Sequence, residues 1–169
     1  MVENGNYSIL VPSDYNFLLY LYHLLDESKK FPYSDLIINS LNKEEIRKKI
    51  KFQWENQNKK IKEKGRYIFE VDIEDKLINQ ISDLDEIKDK ITSQFKSWWY
   101  FQSSLGYKYF LEEAISANKK LDFLRTKLGI ESYDNLMILF DDVPEGFRED
   151  TDNFLLISQK KFFNYPRMN

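Results

Sequence analysis

Cysteine is absent from this 169-residue chain, histidine occurs once, and glycine occurs only five times. Without thiols the chain cannot form disulfides, use a thiolate nucleophile or hold zinc through sulfur. It also contains no Gly-x-Gly-x-x-Gly and no Gly-Lys-Ser/Thr motif, so neither common phosphate-binding loop can form. These absences remove the familiar means of catalysis, and they predict a non-enzymatic protein that uses no metal and no cofactor.

The single histidine, His23, lies among leucine and aromatic residues in a predicted helix. A histidine in such a setting is more typical of a packed side chain than of a general base. A Ser-His-Asp hydrolase would have to use this residue, and the sequence has no Gly-x-Ser-x-Gly elbow to present its serine. We therefore expect no catalytic residue in the chain.

The low glycine and proline content, five and four residues, favours long helices over a turn-rich all-β fold. Apolar residues at helical spacing predict a helix over residues 43–64 that ends at Gly65. Further apolar stripes predict helices before and after it. Helices should therefore make up most of the fold.

Three segments are predicted to form strands. Alternation with period two predicts a half-buried strand near residues 67–73, and apolar runs predict strands near 136–140 and 154–162. The expected fold is thus α+β, a predominantly helical single globular domain over residues 1–169 with a small antiparallel sheet.

Membrane insertion and export have no support in the sequence. The longest apolar run, residues 17–25, is too short to span a bilayer. Residues 1–12 lack the basic flank and apolar core of a secretory signal. We therefore expect a cytoplasmic protein without a membrane partner, and the excess of lysine over arginine is typical of an AT-rich bacterial or viral genome.

The charges are segregated along the chain, although the net charge is only −3. Ten basic and four acidic residues lie between Lys43 and Arg66, which makes the helix there the best candidate for binding a phosphate backbone. Between Glu131 and Asp152, eight acidic residues accompany a single basic one, Arg148. The residues selected for nucleic-acid binding are Lys48, Lys51, Trp54, Lys59 and Lys62.

Two groups of carboxylates are the candidate acidic sites. The first group, Glu70, Asp72 and Glu74, would share one face of the predicted strand at 67–73, and the second, Asp141 and Asp142, follows the run at 136–140. Such carboxylates can be the solvated face of a strand, or can hold magnesium in a nuclease-like enzyme. They can also form an acidic surface that covers a basic surface on a partner protein.

The densest aromatic segment is Trp98, Trp99, Tyr100 and Phe101. Four successive rings point in all directions around a helix, so one side must contact a second element or a partner chain. The segment is therefore either a helix buried on several sides or an interaction surface, including a homodimer contact.

Three functional hypotheses follow. The first is a protein-binding inhibitor or antitoxin-like immunity protein, including a viral anti-defence protein, that uses the acidic and aromatic residues to bind a partner with a basic surface. The second is a nucleic-acid-binding accessory protein that uses the basic helix at 43–66. The third is a magnesium-dependent nuclease-like enzyme built on the carboxylates.

Overall fold

A computed structural model describes residues 8–26, 42–100, 107–108, 112 and 121–163. Helices predominate and four strands form one sheet, so the fold class is α+β, as predicted. The chain forms two compact units, which we call the helical unit (residues 13–108) and the sheet unit (residues 1–12 and 109–169). That residues 1–169 behave as one domain stays a prediction.

The helical unit is built around a helix that is apolar on nearly every side. A helix of this kind must be surrounded by other elements to remove its surface from water. Residues 13–21 are all buried, and this helix packs against the second and third helices of the unit. The helices of the unit are α1 (Ser13–Leu24), α2 (Lys43–Lys64), α3 (Ile73–Ile78) and α4 (Lys88–Tyr100), and a short 3₁₀ turn covers Ser82–Leu84.

Helix α2 confirms the prediction for residues 43–64. Its buried positions recur every three or four residues and include Ile46, Ile50 and Trp54, whereas the opposite face is charged. Gly65 follows with φ of 65°, a left-handed conformation that glycine adopts without a steric penalty. The spacing and the terminal glycine are both local signals, which is why the sequence predicted this helix correctly.

The predicted strand at 67–73 is wrong. Residues 67–70 have no regular structure, residues 71–72 form a turn, and Ile73 begins α3. Alternating side chains indicate a strand only if a neighbouring strand pairs with the backbone. Here the segment is instead an exposed loop whose side chains contact the surrounding helices, and we call residues 66–72 the 66–72 loop.

The sheet unit contains a mixed sheet, not the antiparallel one predicted. Its strands lie in the order β1-β2-β4-β3; β2 is parallel to both β1 and β4, and only β3 pairs antiparallel, with β4. The elements of this unit are β1 (Ser8–Leu10), α5 (Leu121–Leu128), β2 (Asn135–Leu139), β3 (Asp150–Thr151), β4 (Phe154–Ser158) and α6 (Gln159–Phe163).

Two of the predicted strands, near 136–140 and 154–162, correspond to β2 and β4. The second ends earlier than predicted, because the chain turns into α6 after Ser158. The Ser158 hydroxyl accepts a hydrogen bond of 3.3 Å from the backbone N–H of Lys161, which satisfies one of the free donors at the start of that helix. Serine at this position therefore favours the change from strand to helix.

Candidate binding surface on the helical unit

The 66–72 loop exposes three apolar side chains. The exposed fractions are 44% for Ile68, 58% for Phe69 and 72% for Val71. Scattered apolar residues on a surface are ordinary, but adjacent ones on a single loop form a patch that a partner can cover. The loop is therefore the first candidate for a binding surface.

Tyr67 anchors the start of this loop in the interior of the helical unit. Its hydroxyl donates a hydrogen bond of 2.9 Å to the carboxylate of Asp14, which also accepts one of 2.8 Å from the backbone N–H of Tyr15. Asp14 is only 4% exposed, and burial raises its pKa to about 6 even though these hydrogen bonds and Lys60 act to lower it. The anchor is thus a buried carboxyl that titrates close to neutral pH.

Ion pairs fix the other end of the loop. Glu70 lies 3.2 Å from Lys60 on α2 and 3.1 Å from Lys76 on α3, and Asp72 lies 3.5 Å from Lys96 on α4. Burial opposes ionisation of Glu70, but the hydrogen bonds from the two lysines outweigh that effect and lower its pKa. Together with Tyr67, these contacts tie the loop to α1, α2, α3 and α4 while its apolar side chains face outward.

A cleft runs beside the loop along α2. It consists of a larger cavity of about 290 Å³ and a smaller one of about 200 Å³, and Gln57, Lys60 and Glu70 line both. The larger cavity has polar and apolar walls in about equal measure; its other lining residues include Gln53, Asn56, Lys59, Lys76 and Gln80 as well as Ile73 and Leu77. The smaller cavity is mainly apolar, with Ile61, Tyr67 and Ile68 in its walls and Lys64 and Arg66 beside them.

The first group of predicted acidic residues is not gathered on one face. Glu70 and Asp72 are paired with the lysines described above, and Glu74 is only 1% exposed and accepts a hydrogen bond of 2.6 Å from the Tyr100 hydroxyl. Because residues 67–73 do not form a strand, the reason for expecting these carboxylates to converge disappears. Within the part of the chain that the structure describes, no three histidine, cysteine or acidic side chains are grouped so that they could hold a metal.

The second group, Asp141 and Asp142, follows β2 in the sheet unit. Asp142 accepts a hydrogen bond of 2.6 Å from the Ser158 hydroxyl and lies 3.6 Å from the ammonium group of Lys161. Asp141 accepts a hydrogen bond of 2.8 Å from the backbone N–H of Asp142. These contacts connect the end of β2 to the junction of β4 and α6, so at least Asp142 has a structural role.

The aromatic segment at 98–101 is mainly interior. Trp99 has no exposed surface and Trp98 is 7% exposed, whereas Tyr100 is 43% exposed; Phe101 lies outside the described residues. The Trp99 ring stacks on Phe95 at 5.6 Å between centroids, and its indole N–H donates a hydrogen bond of 2.9 Å to the Ser13 hydroxyl. Of the two readings of this segment, the structure favours a helix buried on several sides.

The predicted nucleic-acid-binding residues also divide into exposed and buried ones. Lys48, Lys51, Lys59 and Lys62 are exposed on α2, but Trp54 is fully buried and meets the Tyr15 ring edge-on at 4.9 Å. Trp54 is therefore not placed to stack on a base. Phe52, which is 63% exposed, is the aromatic side chain that accompanies the lysines.

Comparisons with family models, with curated proteins and with solved structures find no match to this chain. Among the described helices, none is long and apolar enough to cross a membrane. The residues that sequence reasoning missed are Asp14, Gln57 and Ile68. Each lines the cleft only because the helices and the loop pack together, and no local pattern marks them.

Proposed function

We propose that this protein acts by binding another protein without catalysis, in the manner of an inhibitor, antitoxin or immunity protein, and that it docks through the 66–72 loop. The observation that carries the proposal is the outward exposure of Ile68, Phe69 and Val71 on a loop that is anchored to the helices through Tyr67 and Glu70. Apolar side chains at the centre of an interface, aromatic ones above all, supply much of its binding energy.

The anchors of the loop favour binding as well as folding. Association costs free energy when a loop must be ordered on contact, and a loop already held in place avoids that cost. Tyr67, Glu70 and Asp72 hold the loop through contacts with α1, α2, α3 and α4. Glu70 and Asp72, which the sequence selected for partner contact, therefore help to hold the loop, Glu70 from a half-buried position and Asp72 from an exposed one.

The charges next to the loop suggest the character of the partner. Lys62, Lys64 and Arg66 are exposed at the end of α2, and none of them forms an ion pair with a described residue. We expect the partner to present an apolar recess bordered by acidic side chains, since opposite charges speed association and select the orientation of binding. Binding of a basic surface by the acidic segment at 131–152 stays a separate prediction.

Site-specific crosslinking tests this proposal. A photo-reactive amino acid in place of Val71 should give one covalent adduct of defined stoichiometry in native host extract, and the same amino acid in place of exposed Ser93 on α4 should give none. Equal crosslinking at both positions, or none at Val71, would remove the loop from consideration as the docking surface.

A matched pair of variants sharpens the test. The double variant Phe69→Ser with Val71→Ser should lose the crosslinked partner in co-purification, whereas Phe52→Ser, which removes a ring of similar exposure from the outer face of α2, should retain it. Retention of the partner by the loop variant would overturn the proposal.

The second candidate function, nucleic-acid binding, is favoured by a single observation. Phe52 is an exposed ring on the same face of α2 as Lys48 and Lys51, and rings among cations are the usual means of binding single strands. If this function is right, Phe52→Ala and Lys51→Glu should each weaken the binding of a labelled single-stranded oligonucleotide, measured by fluorescence anisotropy. Lys90→Glu on α4 is the control, and equal effects of Lys51→Glu and Lys90→Glu would indicate non-specific attraction.

A further inference from the structure

Gln57 is a buried polar side chain that the fold does not use. It is 5% exposed, it lines both cavities of the cleft, and its amide makes no hydrogen bond to any residue that the structure describes. Its amide atoms are not among the fully buried polar atoms of the described residues, so they are open to the cleft, where a ligand can take the place of water as their partner. An amide both donates and accepts, which is the pairing that the edge of a nitrogen heterocycle offers.

The surroundings of Gln57 define two further chemical requirements. The smaller cavity has apolar walls formed by Ile61, Tyr67 and Ile68, which suit the faces of a flat ring. Lys64 and Arg66 lie beside the same cavity and have no acidic partner among the described residues, so they can receive an anionic group. A ligand that satisfies all three features carries a heterocycle at one end and an anion at the other.

We propose that this cleft binds a small molecule that joins a planar nitrogen heterocycle to an anionic group, the chemistry of a nucleoside monophosphate. The ring occupies the smaller cavity and exchanges hydrogen bonds with the Gln57 amide. The phosphate lies against Lys64 and Arg66 beside the same cavity, so the sugar that joins the ring to the phosphate lies between them. The volumes of the two cavities, about 200 Å³ and 290 Å³, suit a small ligand rather than a large one.

Calorimetric titration of the full chain with adenosine monophosphate, uridine monophosphate, adenosine and inorganic phosphate tests the proposal. At least one of the two nucleotides should bind with a dissociation constant below about 1 mM, and more tightly than adenosine or phosphate alone. Saturable binding of neither nucleotide would overturn the proposal, as would inorganic phosphate binding as tightly as the nucleotides.

Two variants separate the roles of the ring and the anion. The double variant Lys64→Gln with Arg66→Gln should weaken nucleotide binding about tenfold or more, because it removes charge-assisted hydrogen bonds, and should leave adenosine binding unchanged. Gln57→Leu should weaken the binding of nucleotide and nucleoside alike, and a thermal melt checks that this variant is folded.

The matched control is Lys62→Gln. It removes one positive charge, half of what the double variant removes, from the same end of α2, at an exposed residue that does not line the cleft. A loss of nucleotide binding equal to that of the Lys64 and Arg66 variant would mean diffuse attraction and would overturn the proposal. Ile68, Lys64 and Arg66 border both surfaces, but Phe69 and Val71 do not line the cleft and Gln57 is not part of the loop. Loss of the partner with nucleotide binding retained in the Phe69 and Val71 variant, or the reverse in Gln57→Leu, therefore distinguishes the two proposals.

Discussion

The helical unit and the sheet unit use their buried polar side chains differently. In the sheet unit these side chains secure the backbone: Arg125, which is 4% exposed, donates to the carbonyl oxygens of Glu131 and Tyr133, and Ser158 holds the start of α6. In the helical unit Asp14 and Gln57 are equally buried, but they lie beside a cleft. The sheet unit's polar groups therefore serve the fold, as Asp14 does in the helical unit, whereas Gln57 is the buried polar group to which we propose a role in binding.

The two units bury their apolar side chains in different ways. Strands β2 and β4 are parallel neighbours, and their central residues 136–139 and 156–158 are buried almost without interruption. The helical unit instead buries a cluster of large rings around α1 and α4. Its stability therefore depends on a few large side chains.

The largest expected effect comes from removing one of those rings. Trp99→Ala should lower the free energy of unfolding by about 3–5 kcal/mol, because it leaves a cavity beside Phe95 and removes the hydrogen bond to Ser13. Chemical denaturation measures the change. The control Phe52→Ala, at a ring that is 63% exposed, should cost less, and an equal cost at both positions would contradict the dependence on buried rings.

Replacing Asp14 is expected to change the free energy of unfolding by less, and to raise it rather than lower it. Its folded-state pKa of about 6 lies above the ordinary aspartate value of 3.8, so the folded protein holds this proton more tightly than the unfolded chain does. The stability that this group contributes is therefore lost as the pH rises from about 4 to about 6. Asp14→Asn removes the buried charge and should raise the free energy of unfolding by about 2 kcal/mol at pH 7.5, with no gain at pH 4.

Denaturation curves of Asp14→Asn and wild type at the two pH values test this prediction. Asp72→Asn is the control, because it removes a carboxylate at an exposed position, and its effect should not differ in this way between the two pH values. A loss of stability in Asp14→Asn at pH 7.5 would mean that the hydrogen bonds from Tyr15 and Tyr67 require a full negative charge.

Ser158→Ala probes the sheet unit's structural use of polar groups. It should lower the free energy of unfolding by about 1–2 kcal/mol, because the start of α6 loses its side-chain acceptor and Asp142 loses a donor. Thermal denaturation measures the effect. Ser93→Ala, at an exposed position on α4, should change little, and an effect as large as that of Ser158→Ala would contradict the assigned role.

The smallest effect on stability is expected in the 66–72 loop. Phe69→Ser combined with Val71→Ser should change the free energy of unfolding by less than about 0.5 kcal/mol, because both side chains are already exposed to water. A near-neutral result would agree with residues kept for binding rather than for folding. A loss above about 2 kcal/mol would show that the loop covers part of the core.

Sequence reasoning succeeded where the signal was local. The spacing of Ile46, Ile50 and Trp54 and the position of Gly65 were sufficient for α2, and the runs at 136–140 and 154–162 were sufficient to locate β2 and β4. These patterns depend on residues a few positions apart, and the side-chain period of each element is fixed by its own geometry.

The errors concern partners that are distant in sequence. The sheet was predicted to be antiparallel, but which strands become neighbours depends on how the chain crosses between them. The strand at 67–73 was predicted from alternation, but Tyr67 is drawn inward by Asp14 and Glu70 by Lys60 and Lys76. The candidate cleft was missed because Asp14, Gln57 and Ile68 come from three separate elements.

The sequence alone determined the α+β class, helix α2 and the central strands β2 and β4. It also excluded thiol chemistry and the common phosphate-binding loops. Only the tertiary structure decided the strand order, the burial of Trp54, Trp98 and Trp99, and the exposure of the 66–72 loop. The physical reason is that periodicity records which side of an element is apolar, whereas burial and binding depend on which other element covers that side.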